Sequence, residues 1–89
     1  MSEVSTPESY QLFKTDICGF CYRVQAFLDL NGIEIPLRDV NRDPAAFREL
    51  LQEGGRTTVP CLRIERGGEV EWMFESMDII QYITARYDI

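Results

Sequence analysis

Residues 9–21 read SYQLFKTDICGFC, and their reading decides the fold. Ser9–Phe13 is β-prone, and the polar stretch from Lys14 to Gly19 breaks it, so a strand runs into a loop. From Phe20 the apolar residues Phe20, Val24, Phe27 and Leu28 recur at helical spacing, and Asn31-Gly32 is a helix-ending signal. Cys18 and Cys21 therefore straddle a strand-to-helix junction. The thiolate is the reactive form of cysteine, and a helix N-terminus stabilises it through free N–H groups and the helix dipole. Two-residue spacing also lets Cys21, one turn in, attack a mixed disulfide on Cys18. Lys14 would favour a nearby thiolate and Asp16 would oppose it.

Downstream, Ile33, Ile35 and Leu37 alternate with polar residues as in a half-buried strand, and Pro36 inside it predicts a sheet edge. Asp43 as N-cap and Pro44 at the first helical position start a second helix. Phe47, Leu50 and Leu51 give that helix its apolar face, and Gly54-Gly55 stops it. Cys61–Glu65 and Glu69–Phe74 flank Gly67-Gly68, a hairpin signal. Ser76 is placed to cap a last helix, with Asp78 in its first turn and Met77, Ile80 and Ile83 as its buried stripe. The order β-α-β-α-β-β-α implies an α/β domain with a four-stranded mixed sheet and three helices, the first β-α-β being a parallel crossover. Residues 1–8 read as a flexible lead and 9–89 as one domain.

The chain has 89 residues, a formal net charge of −6, three cysteines and no histidine. One modest core is what that length allows. The acidic excess argues against nucleic acid or an anionic membrane as partner. Without histidine there is no histidine base, no Ser-His-Asp triad and no histidine-containing metal site. Zinc needs four ligands, and beyond the C-x-x-C pair only Cys61 remains, so a monomeric cysteine/histidine zinc site is excluded. The apolar runs are too short to span a membrane. The polar N-terminus lacks the features of a signal peptide, which predicts a cytoplasmic protein whose thiols stay reduced.

Three motifs together resemble the glutaredoxin branch of the thioredoxin fold: Cys18-Gly19-Phe20-Cys21 after the first strand, Thr58-Val59-Pro60 before the third, and the Gly-Gly hairpin. Val59-Pro60-Cys61-Leu62, Glu75-Ser76 and Asp78–Ile83 are similar to the N-terminal domain of glutathione S-transferases. The resemblance spans about residues 9–87. It implies a thioredoxin-like fold and a glutathione-dependent oxidoreductase, a monomer acting on disulfide-containing or glutathionylated proteins with glutathione as co-substrate. It assigns Cys18 as nucleophile and Cys21 as resolving thiol. Phe20 and Thr58 would border the glutathione site, and Pro60 would be cis and face Cys18. Val59 would pair its backbone with the cysteinyl part of glutathione, as an added strand does. Glu75 and Ser76 would hold the γ-glutamyl end, the helix N-terminus suiting its carboxylate. Lys14 is a candidate for the glycyl carboxylate, with Gln52 and Arg56 as weaker ones. Gly19 stands where dithiol glutaredoxins commonly have proline, as in the monothiol class, although that class ends the motif in serine and carries a Trp-Pro segment absent here. A [2Fe–2S] cluster bridged by Cys18 and glutathione across a dimer is therefore an alternative. Another is a transferase-like domain that binds glutathione without turnover. The all-helical second domain of transferases has no counterpart within these 89 residues.

Overall fold

A computed structural model describes residues 7–89. Of the lead expected over residues 1–8, positions 1–6 lie outside the described residues, and Glu8 already belongs to the first strand, β1 (Glu8–Lys14). Then follow α1 (Gly19–Leu30), β2 (Leu37–Asp39), α2 (Pro44–Glu49), β3 (Cys61–Arg66), β4 (Glu69–Met73) and α3 (Ser76–Arg86). A π-helical turn, Leu50–Gly54, extends α2. The sheet order is β2-β1-β3-β4. β1 runs parallel to β2, with Leu12 opposite Leu37, and antiparallel to β3, with Phe13 opposite Cys61. β3 and β4 form the expected hairpin, Arg66 facing Glu69. Its two loop residues, Gly67 (φ 56°) and Gly68 (φ 84°), both occupy the left-handed region that a type I′ turn demands. The mixed α/β, thioredoxin-like architecture is as expected. Among the described residues no helix is long and apolar enough to cross a membrane.

Alternation along the two central strands divides the core. Leu12, Leu62 and Ile64 point to one face, where they meet Val24 and Leu28 of α1 and Ile79 and Ile83 of α3. Phe13 and Cys61 point to the other, against Val40, Ala46 and Leu50. Each fully buried aliphatic side chain contributes roughly 1.5–3 kcal/mol, so the central strands and the helices packed on them are the rigid frame of the molecule.

Several details shift. The second strand starts after Pro36, not before it: Pro36 has no N–H for a ladder, and instead its carbonyl accepts the Leu12 N–H at 2.9 Å. β2 is nonetheless an edge strand, as the proline implied. In α1 the buried stripe is Cys21, Val24 and Leu28, while Phe20 turns outward and is 60% exposed. In α2 and its extension Ala46 and Leu50 are buried, and Phe47 and Leu51 are half exposed. In α3 the buried pair is Ile79 and Ile83, and Met77 is exposed. Ser76 does not cap α3; it is the first helical residue, and Glu75 occupies the cap without a side-chain capping bond. Asp43 caps α2 as expected, accepting the Ala45 N–H at 3.0 Å.

Candidate active site

The end of β1 and the start of α1 set the reactive thiol. Cys18 is the N-cap of α1, with extended backbone (φ −101°, ψ 115°). Its Sγ accepts the backbone N–H of Cys21 at 3.1 Å, which satisfies one of the helix's free N-terminal donors with sulfur. Its carbonyl accepts the Tyr22 N–H at 3.0 Å, beginning the helical ladder. Cys18 is partly exposed, whereas Cys21 and Cys61 are buried, and all three are free thiols. Burial pushes the Cys21 thiol up, helped by its contact with Cys18, so Cys21 stays protonated near neutral pH. Burial likewise pushes Cys61 up to about 12. The two buried thiols are thereby poor nucleophiles, and the chemistry falls to Cys18.

The peptide between Val59 and Pro60 is cis. The Cys18 thiol donates to the Val59 carbonyl at 3.7 Å, so the strand-to-helix junction and the segment leading into β3 meet at the sulfur. Val59 and Pro60 also wall a groove of about 230 Å³, together with Phe20, Thr58, Glu75 and Ser76. These six residues, drawn from three separate stretches of the chain, are those expected to border the ligand apart from the candidates for the glycyl carboxylate, Lys14, Gln52 and Arg56. Arg56 and Phe74 complete the wall. The Arg56 guanidinium lies 4.6 Å from the centre of the Phe74 ring, a stacked arrangement that holds a cation at the groove. Ser76, the first residue of α3, lines the same groove, so the N-terminal end of that helix, left without a side-chain cap, lies beside it.

Lys14 is not part of this groove. Its ammonium bonds Asp16 at 2.7 Å and lies 3.6 Å from Asp39, with the side chain only 14% exposed. The hydrogen bond it donates to Asp16 raises its pKa, and Arg42 reaches the same Asp16 at 2.8 Å. A lysine tied between two carboxylates is not presented to a ligand. Gln52 lines a different depression of about 420 Å³, beside Glu53 and Trp72. Another, of about 530 Å³, lies between the end of α1 and the segment before β2. Neither includes Val59, whose carbonyl contacts the Cys18 thiol, and this contact sets the smaller groove apart. Among the described residues no group of three or more Cys, Asp or Glu is arranged to hold a metal ion. From sequence alone Arg56 ranks below Lys14 and Phe74 is not singled out. The two meet because Phe74, just past β4, lies beside the segment before Thr58, which only the fold reveals.

The glutaredoxin family model matches residues 11–70, a span that holds the C-x-x-C, the Val59-Pro60 bond and most of the sheet. Glutaredoxin 3 of Escherichia coli K12 is 27% identical over 55 residues, a match covering 62% of this chain and 66% of that protein, just short of two thirds of its length. Among solved structures, maleylacetoacetate isomerase from Anaeromyxobacter dehalogenans, with glutathione bound in its active site, superposes with a TM-score of 0.69. It is 20% identical, and the shared part covers 92% of this chain and 39% of the isomerase, so this likeness is one of fold. A thioredoxin-like protein superposes with a TM-score of 0.62 at 26% identity, covering 82% of this chain and 97% of its own. With the motif match extending over more than half of its length and the thiol seated at the head of α1, the chain belongs to the glutaredoxin family.

Proposed function

We propose that the protein is a glutathione-dependent thiol–disulfide oxidoreductase that reduces glutathione mixed disulfides and protein disulfides. The observation that carries this reading is the Cys18 thiol at a helix N-terminus, in contact with the Val59 carbonyl at the wall of a groove that also holds a cation and a second helix N-terminus. Such a groove suits a thiol peptide with a carboxylate at each end. The Val59 backbone would pair with the cysteinyl unit, the start of α3 at Ser76 would take the γ-glutamyl carboxylate, and Glu75 its ammonium. Arg56, rather than Lys14, would take the glycyl carboxylate. Phe20 and Thr58 would flank the bound peptide.

In deglutathionylation the Cys18 thiolate attacks the glutathionyl sulfur of the mixed disulfide. A Cys18–glutathione disulfide forms, the original S–S bond breaks, and the protein departs as a thiolate that takes a proton. A second glutathione thiolate then attacks the bound glutathionyl sulfur, releasing oxidised glutathione and regenerating Cys18. With a protein disulfide, the Cys18 thiolate attacks one sulfur and the other leaves as a thiolate. Cys21 gives up its proton to that thiolate and attacks Cys18, and the substrate's second sulfur leaves as a thiolate that takes a proton from solvent. Two glutathione molecules then reduce the Cys18–Cys21 disulfide. Neutral, buried Cys21 fits the resolving role, since it waits beside Cys18 without competing for the first attack. A glutathione-recycling reductase assay tests the proposal. Wild type turns over a glutathionylated substrate and Cys18→Ser does not; equal rates for the two overturn the assignment.

A further inference from the structure

The end of the π-helical turn and the groove cation are held by one short aromatic row. Trp72 of β4 and Phe74 just beyond it stand two residues apart and pack on the same side of the sheet, against the cluster of Phe13, Leu50 and Cys61. The Trp72 ring is set from below by Phe13, at 5.5 Å between centres, and the Arg63 guanidinium lies 5.8 Å from it. Gly54 closes the turn against this ring. A Cβ at Gly54 would stand 3.2 Å from Trp72 Cε3 and 3.3 Å from Cδ2, closer than ordinary packing allows. Gly55 follows in the left-handed conformation (φ 80°), with its N–H on the Leu51 carbonyl at 3.2 Å. The next residue is Arg56, stacked on Phe74 at the groove. Trp72 thus touches the chain two residues before the cation, and Phe74 touches the cation itself.

We infer that Trp72 is a positioning residue: through its contact with Gly54 it sets where Arg56 sits on Phe74, and so the groove's preference for a thiol peptide carrying a C-terminal carboxylate. The inference rests on reading the groove as a glutathione site. Arg56 is exposed and has many rotamers, so its hold on a carboxylate depends on how much freedom is removed beforehand. The ring behind Gly54 supplies that restriction from outside the groove, without touching the ligand. A side chain at Gly54, or a smaller one at Trp72, shifts the base of Arg56 and leaves Cys18, Val59 and the start of α3 in place.

The test is an NMR titration of the folded protein with two ligands, glutathione and glutathione amide, in which the glycyl carboxylate is an uncharged carboxamide. Arg56→Met should weaken glutathione binding about five- to tenfold, the range of a charge-assisted contact at a partly solvated site, and leave glutathione amide unchanged. Gly54→Ala and Trp72→Leu should each weaken glutathione about threefold, again sparing the amide, and add nothing on top of Arg56→Met. Trp72→Phe, which keeps a ring behind Gly54, should restore the wild-type value. Equal weakening of both ligands, or effects that add to Arg56→Met, would overturn the positioning role while leaving the glutathione site standing. If Trp72→Leu fails to fold, Gly54→Ala and Trp72→Phe decide by the same criteria. Wild type that binds neither ligand overturns the glutathione reading itself, and the inference with it.

Discussion

Replacing Glu8 by Gln removes one charge from the point where β1, the β3–β4 hairpin and α3 are tied together. The Glu8 side chain is only 5% exposed, and Arg66 Nε donates to its Oε2 at 2.7 Å. Tyr10 and Tyr82 donate hydroxyl protons to Oε1 at 2.6 and 2.7 Å, and Arg86 lies 3.3 Å away. Burial alone would raise the Glu8 pKa, but the hydrogen bonds from Tyr10, Arg66 and Tyr82 and the charge of Arg86 outweigh it, and the pKa falls from 4.5 to about 2. A depressed carboxylate stabilises the fold fully above its unfolded-state pKa and loses that contribution as pH falls through the folded one. At about 1.4 kcal/mol per pH unit, the shift corresponds to about 3 kcal/mol at neutral pH. For a domain of this size that is on the order of 15 °C in Tm. Urea unfolding of wild type and Glu8→Gln at a series of pH values isolates the effect, because other carboxylates cancel in the difference. The gap should be about 3 kcal/mol at pH 7, begin to close below about pH 4.5 and shrink to roughly 0.4 kcal/mol by about pH 2, where the folded-state carboxyl is half protonated. A gap that stays constant from pH 7 to pH 2 would refute the electrostatic account and leave only a packing effect.

Three further outcomes follow from the site. A limiting amount of thiol reagent at neutral pH should alkylate Cys18 before Cys21 or Cys61, as read by peptide mapping, because the other two are buried and pushed up; first labelling of Cys61 would reverse the order. Cys21→Ser should keep deglutathionylation and lose most of its turnover of an intramolecular protein disulfide, measured on both substrates in one glutathione-recycling assay, since only the second reaction needs a resolving thiol. Lys14→Met should leave the KM for glutathione within about twofold while Arg56→Met raises it about fivefold, steady-state kinetics distinguishing the tied cation from the stacked one.

Local signals carried the architecture. Asp43-Pro44, Gly67-Gly68 and the strand running into Cys18 each specify backbone geometry through their own chemistry, and each element stands where those residues put it. What shifted depended on partners distant in sequence. Met77 and Ile79 are both apolar, and only the docking of α3 on Leu62 and Ile64 decides that Ile79 turns inward. Phe20 fitted the helical period of α1, yet it borders the groove because the small Cys21 fills the buried position beside the sheet. Ser76 reads as a cap from its type, whereas the chain leaving β4 enters helical geometry one residue earlier. For the groove, the resemblance named Thr58, Val59, Pro60, Glu75 and Ser76, and all of them line it. Lys14 could not be resolved in that way: its proximity to Cys18 in sequence says nothing of Asp39, which arrives on a neighbouring strand and holds it.

The central claim is that Cys18 takes a glutathionyl group from a mixed disulfide. Its most direct test is mass spectrometry of Cys21→Ser after mixing with a glutathionylated protein, with the modified peptide sequenced. The account predicts a single glutathionyl group on Cys18, released when free glutathione is added. No adduct, or an adduct on Cys61 with Cys18 unmodified, would contradict it.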